Sequence, residues 1–310
     1  MKVLVTGASG FVGEWLTRAL LNEGHDVYSQ RVDILEPLAL ERAFQDVEIV
    51  FHLAGYVGYK KSDRTRMEEV NVTGTANVLR ACKGAKVRRL IYFSSVAAVG
   101  ASVDGKNPLN ENSPYNLTHL NLGYFETKRQ AEKLVLRACQ RGDVDAVLLN
   151  PSNIYGSGDA KKGSRSTQLK VARGEFPFYT SGGVSLVHVE DIVKAAIRAS
   201  QVGRTGERYI LSGENVTVKQ LFAEIADAAG VKAPAIYLPN FAIHMLAFMS
   251  ATLERVGKKG PVSSESAQAS ILFHWFDHAK ATKELHFHPR PAREAIRDSV
   301  AWMRAQGLLK

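Results

Sequence analysis

KVLVTGASGFVGEWLTRALL, residues 2–21, changes its period half-way along. Residues 2–6 are an almost continuous apolar run, which is how a strand buried on both faces reads. From Phe11 onward, apolar side chains return every three or four positions, as on a helix with one packed face. At the junction stand Gly7, Gly10 and Gly13. The first permits a tight turn, the second lets backbone approach a pyrophosphate, and the third lets the helix lie close on its sheet. Free N–H groups and the positive end of the dipole at the helix N-terminus suit phosphate. Glycines at this spacing are a weak signal elsewhere and a strong one between a first strand and a first helix. The stretch predicts a dinucleotide site that takes in Gly7, Ser9, Gly10, Phe11, Val12 and Gly13.

The alternation continues outward. Strands are predicted at 2–6, 26–30, 48–53, 89–94 and 145–150, with helices at about 11–23, 37–45, 64–82 and 124–140. Strand–helix alternation of this kind predicts an α/β fold, a doubly wound parallel sheet (Rossmann) that binds ligands at the carboxyl ends of its strands. After Pro151 the rhythm changes to a Gly-, Ser- and Lys-rich segment at 156–185. Strands are then predicted at 185–189 and 207–213, with helices at 190–200 and 217–229, and a mostly helical remainder. The expected division is a dinucleotide-binding domain at 1–155, completed by about 185–212. A smaller, mostly helical substrate-binding region is built from about 156–184 and 213–310.

Composition sets limits. The 310 residues are 45% hydrophobic and 23% charged, which is ordinary for a globular protein. Cys82 and Cys139 sit in helix-like stretches and suggest no disulfide framework. The chain opens directly on a strand, with no leader before it and no apolar run long enough to span a membrane, so a cytoplasmic protein is expected. The net charge of +9 is scattered, and the basic loop 159–175 has no aromatics for stacking, so nucleic acid is not an expected partner. His274, His278, His286 and His288 have no Glu or Cys at ligand spacing, and no metal is expected. Residues 241–253, FAIHMLAFMSATL, are apolar enough for a membrane-surface helix but lack a basic polar face, although ERVGKK follows. They read as a wall or lid of the substrate pocket, which would make that pocket greasy.

The second strand bears on which nucleotide binds. An acid at its end would hold the ribose hydroxyls of NAD, whereas a base would accept the 2′-phosphate of NADP. The position is Arg31, which favours NADP, with NAD as the alternative. Asp33 and Ile34 are expected to border the adenine.

Ser94 and Ser95 close the strand at 89–94, and Tyr124 opens a helix with Lys128 one turn on. A phenol with a pKa of about 10 is a poor proton carrier at neutral pH. A neighbouring Lys cation lowers that value, and a Ser hydroxyl can hold the substrate oxygen while Tyr moves its proton. These residues belong to a longer series. TGASGFVG (6–13), FHLAG (51–55), NVTGTANVL (71–79), YFSSVAAVG (92–100), YFETK (124–128), NPSNIYGSGD (150–159) and LVHVEDIV (186–193) follow one another in order. With them the whole chain resembles the extended short-chain dehydrogenase/reductase family of the NAD-dependent epimerase/dehydratase type. It is most similar to dihydroflavonol-reductase-like and 3β-hydroxysteroid-dehydrogenase-like members. The tail at 276–296 also resembles that of hopanoid-associated sugar epimerases.

The resemblance implies roles for individual positions. Ser95, five residues before Gly100, is the catalytic serine, with Ser94 on the nicotinamide side. Tyr124 is the acid/base, and Lys128 binds the nicotinamide ribose and lowers the Tyr pKa. Leu53, Ala54 and Gly55 flank the cofactor, Asn71 lies below it, and Pro151, Ser152, Asn153 and Ile154 meet the nicotinamide end. Val99 stands where the family often has an aromatic, and Asn150 where many sugar-nucleotide members have Arg. The expected activity is hydride transfer between NADP(H) and a ketone, aldehyde or secondary alcohol, with an apolar small-molecule substrate. The alternative is a nucleotide-sugar epimerase or dehydratase with tightly bound NAD, whose diphosphate would be met by Lys161, Lys162, Arg165, Lys170 and Arg173. An intact Ser-Tyr-Lys set argues against a non-catalytic nucleotide sensor. In many relatives the helices at 64–82 and 124–140 pair subunits, which implies a homodimer.

Overall fold

The computed structural model describes residues 1–102, 104–160, 165–255, 260 and 262–309. Its first half alternates β1 (Lys2–Thr6), α1 (Phe11–Asn22), β2 (Asp26–Tyr28), α2 (Pro37–Ala43) and β3 (Ile49–His52). Next come α3 (Arg64–Met67), a π-helical turn (Glu68–Thr73), α4 (Gly74–Gly84), β4 (Arg89–Phe93), α5 (Gly123–Gln140) and β5 (Ala146–Pro151). The second half holds β6 (Asn153–Tyr155), α6 (Ser166–Ala172), β7 (Phe178–Tyr179), β8 (Gly183–His188), α7 (Val189–Val202), β9 (Arg208–Leu211) and β10 (Glu214–Thr217). It ends with α8 (Val218–Ala229), β11 (Ile236–Tyr237), α9 (Asn240–Arg255), α10 (Ser264–Ala269), β12 (Phe273–His274), α11 (Ala279–Leu285) and α12 (Ala292–Ala305).

Six strands form a parallel sheet in the order β2-β1-β3-β4-β5-β9. Its central strands are apolar throughout because helices cover both faces. On one face, Leu16 and Leu20 of α1 meet Ile192 and Ala196 of α7 over Val3, Phe51 and Ile91. On the other, Val78 of α4 and Val135 of α5 pack over Leu4, Val50 and Leu148. Each large aliphatic side chain buried here stabilises the fold by about 1.5–3 kcal/mol. The chain turns outward from β1 to β2 and then crosses back to β3, so the order in which strands are added reverses between β1 and β3. A ligand is expected in the crevice at that point.

The predicted strand at 185–189 is β8, and it lies outside the six-stranded sheet. It pairs with β6, β10 and β12, while α7 and β9, which follow it, belong to the main layer. A third cluster, built on Tyr155, Leu221, Phe222, Ile296 and Met303, holds α8 and α12 against β8. The two-stranded pair of β7 and β11 extends this second region away from the sheet.

Candidate active site

The carboxyl ends of β3, β4 and β5 and the first turn of α5 surround one cavity of about 210 Å³. Val12, Leu53, Gly55, Asn71, Ser94, Ser95, Tyr124, Lys128, Pro151, Ser152 and Ile154 all line it. Lys128 is buried, and its Nζ donates to the carbonyl oxygen of Phe93 at 2.7 Å. The same ammonium stands 5.3 Å from the centre of the Tyr92 ring. Burial holds its pKa down to about 8, against the charge of Glu132.

Tyr124 and Ser95 face the same cavity, with the Ser95 hydroxyl among the groups that act on the phenol. In the protein alone, Lys128 is not among the groups that shift the Tyr124 phenol. Burial lifts the Tyr124 pKa above the ordinary value, Tyr59 adds to the rise, and the Ser95 hydroxyl opposes both. The Ser95 hydroxyl also accepts the N–H of Ala97, which fixes the start of the short turn after β4.

The glycine turn is built as its spacing predicts. Gly7 has a φ of 74°, and a Cβ there would lie 2.7 Å from the backbone nitrogen of Ala54. A Cβ on Gly13 would lie 2.2 Å from the carbonyl oxygen of Gly7, so the helix can approach only because none is present. Gly10 is the N-cap of α1 and offers no side chain to its N–H groups, and Phe11 and Val12 form its half-buried first turn. Ser9 is exposed on the same turn. Beneath it, His52 is buried between Thr6 Oγ1 at 2.7 Å and Thr75 Oγ1 at 3.2 Å, and Ala54 N–H donates to Thr6 Oγ1. Burial, aided by the charge of Lys128, lowers the His52 pKa to about 3.

Asn71, turned inward by the π-helical turn, is committed to the protein itself. Its Nδ2 donates to the Tyr56 carbonyl at 2.9 Å and to Thr127 Oγ1 at 3.2 Å, and its Oδ1 accepts Tyr56 N–H at 2.8 Å. It therefore clamps the loop after β3 onto α5. Arg31 and Asp33 are exposed and line a groove along the edge of β2 together with Arg42. Asp33 Oδ1 accepts the N–H of Leu35, whereas Ile34 is a core residue packed beside Gly74. Asn153 is half-buried in β6.

The profile of the family described as NAD dependent epimerase/dehydratase matches residues 3–212. The chain belongs to that family. It is 30% identical to a putative dihydroflavonol 4-reductase from Synechocystis sp., over 99% of this chain and 95% of the relative. It is also 30% identical to sterol demethylase protein B from Methylococcus capsulatus, over 100% of both chains. The crystal structure of gox2253 superposes with a TM-score of 0.87 at 35% identity and covers 99% of each chain. Membership makes this protein an oxidoreductase of the extended short-chain dehydrogenase/reductase type, dependent on a nicotinamide nucleotide.

The residues of this oxidoreductase fit such a nucleotide on their own chemistry. Ser94 Oγ and Ser152 Oγ are buried at the cavity and have no hydrogen-bond partner among the described residues. Buried hydroxyls of that kind are costly unless a ligand meets them. The uncapped N-terminus of α1 supplies N–H groups for phosphate.

Sequence reasoning missed Tyr56, Val57 and Tyr59. The first two line the cavity, and Tyr59 lies near enough to raise the Tyr124 pKa. The aromatic cluster in GYVGYK (55–60), at the carboxyl end of β3, is the signal that could have found them.

A second cavity, of about 280 Å³, lies in the C-terminal region and is walled by Phe176, Phe178, Phe222, Leu238, Ile243 and Leu246. Ile243 and Leu246 belong to the apolar stretch 241–253. Of the cations considered for a diphosphate, Lys161 and Lys162 lie outside the described residues. Arg165 pairs with Asp159 at 3.5 Å and stacks 3.8 Å from the centre of the Tyr155 ring. Arg173 donates to the Leu308 carbonyl, and Lys170 is exposed on α6. His274 is half-buried against Phe125, and His278 packs on Phe287. Among the described residues no group of three His, Cys, Asp or Glu could hold a metal ion. No helix there is long and apolar enough to cross a membrane.

Proposed function

We propose that the protein is an NADP(H)-dependent reductase or dehydrogenase acting on an apolar ketone, aldehyde or secondary alcohol. The observation that carries this reading is the convergence of Ser95, Tyr124 and Lys128 on one cavity, beside the unmet hydroxyls of Ser94 and Ser152. A bound nicotinamide supplies the hydride chemistry. The protein's part is orientation and the proton. Ser95 holds the substrate oxygen, and Tyr124 passes a proton to it during reduction or takes one during oxidation. Lys128, buried beneath, supplies charge next to the nucleotide ribose.

The greasy cavity beside Ile243 and Leu246 supports an apolar substrate over a sugar nucleotide. Arg31, exposed just after β2, supports NADP through a guanidinium for the 2′-phosphate.

Oxidation of NADPH in the presence of hydrophobic ketones and aldehydes tests the reading. Tyr124→Phe should lower kcat by about 10²–10⁴-fold, the usual contribution of a positioned acid, while nucleotide affinity is kept. Full activity in that variant would remove the mechanism. Interconversion of a UDP-sugar with no net NADPH consumption would replace the reading with the epimerase one. Arg31→Ala should weaken NADPH by about tenfold and leave NADH unchanged, as expected for one lost phosphate contact. A homodimer formed through α4 and α5 belongs to the same reading, and sedimentation velocity reads it directly.

A further inference from the structure

Helix α9 has two apolar faces pointing in opposite directions. Inward, Ile243 and Ala247 are each 4% exposed, Ser250 is fully buried, and Ile243 and Leu246 wall the second cavity. Outward, Phe241 is 70% exposed, Met245 68% and Phe248 75%, at the i, i+4, i+7 spacing of one stripe, with Met249 beside them at 48%. Ile236 and Tyr237, on the strand just before the helix, are about half exposed as well. Exposed large apolar residues scattered singly need no explanation, but a continuous stripe of them does.

The surroundings indicate what covers the stripe. The exposed positions of α9 among the described residues, Asn240 to Thr252, include no carboxylate. The first acid on the helix, Glu254, is engaged by the N–H and hydroxyl of Ser264. Lys219 stands 5.4 Å from the centre of the Tyr179 ring, which in turn packs on Tyr237, and Lys232 is exposed just ahead of that strand. The chain as a whole carries +9. Large apolar side chains on a helix, flanked by Tyr and Lys and free of acids, match the boundary between acyl chains and anionic headgroups. A second copy would bring the same positive charge against itself.

We propose that α9 is an interfacial helix that seats the protein on an anionic lipid bilayer, with its inner face walling the cavity that receives the substrate. The wall residue Ser270 of that cavity is two positions from Leu272, which packs in the cluster of Leu122, Phe125 and Tyr124. An apolar carbonyl compound dissolved in the bilayer would thus reach the acid side of the site without crossing water. This last step rests on the apolar-substrate reading above, whereas the docking does not.

The test is co-sedimentation of the full chain with vesicles of phosphatidylglycerol and phosphatidylcholine, and with phosphatidylcholine alone. The expected result is partition onto the anionic vesicles that weakens with salt. The triple variant Phe241→Ser, Met245→Ser, Phe248→Ser should lose about tenfold or more of that partition, because three apolar side chains leave the acyl boundary. The variant should keep its NADPH affinity and melting temperature, since none of the three residues lines either cavity. Wild-type protein that stays in the supernatant with both vesicles overturns the proposal. So does a triple variant that binds vesicles unchanged, or one whose only effect is to turn a dimer into a monomer. Vesicle binding without reduction of any hydrophobic carbonyl leaves the docking standing and removes the function proposed above.

Discussion

At the scale of single residues, the site is governed by what burial does to charge. His52 is held neutral under the glycine turn, with a pKa lowered from 6.5 to about 3. Below pH 6.5 the unfolded chain takes up a proton that the folded protein refuses. Stability present above that pH is therefore lost as pH falls towards 3, by about 1.4 kcal/mol per unit through the window. Denaturant titrations of wild type and His52→Gln across that range should diverge at pH 7 and converge in acid. Lys128 works at the opposite end. Its pKa drops from 10.5 to about 8, so between those values the unfolded chain holds the extra proton and folding stability rises with pH. Measured against Lys128→Met, which has no such proton, wild type should gain stability from pH 8 upward. A flat difference would mean that the ammonium is not desolvated as its burial implies.

At the scale of elements, the main strands, the glycine turn and α5 are legible in the sequence because their defining residues are close neighbours along it. Gly7, Gly10 and Gly13 span seven positions, and Tyr124 and Lys128 are one helical turn apart. What the sequence conceals is pairing at a distance. Strand β8 reads as one more member of the parallel sheet, yet its partners β6, β10 and β12 place it in another, and no local pattern encodes that choice. The π-helical turn at Glu68–Thr73 is equally silent, since its sequence EEVNVT suits an α-helix. Turns of this kind recur at functional sites because they re-aim a side chain, and here the side chain is Asn71. Asn71→Ala should lower stability by about 1–3 kcal/mol, the cost of leaving buried partners unmet. It should also weaken nucleotide binding by freeing the loop after β3. The denaturation midpoint and a fluorescence titration with NADPH read the two effects separately.

At the scale of the whole molecule, the two regions meet at Glu265. This buried residue of α10 accepts the N–H of Gly123 at 2.9 Å and pairs with Arg64 at 3.2 Å. The N-cap of α5, Leu122, has no side chain able to do this work, so the helix that begins with Gly123 and Tyr124 takes its anion from a residue 142 positions away. Glu265→Ala should cost about 1–3 kcal/mol in stability. It should also lower kcat more than it changes the nucleotide Kd, because the first turn of α5 carries the proposed acid and the nucleotide turn does not. Rescue by Glu265→Asp of the melting temperature but not of kcat would separate anchoring from placement. The same contact sets a rule for recombining this chain with its relatives. A crossover near residue 212, where the family profile ends, also cuts both cores, since Ala281 and Leu285 pack in the first and Tyr155 and Leu186 in the second. A chimera made there would leave Tyr124 cut loose from its anchor, unless the incoming segment also carries an acid at position 265.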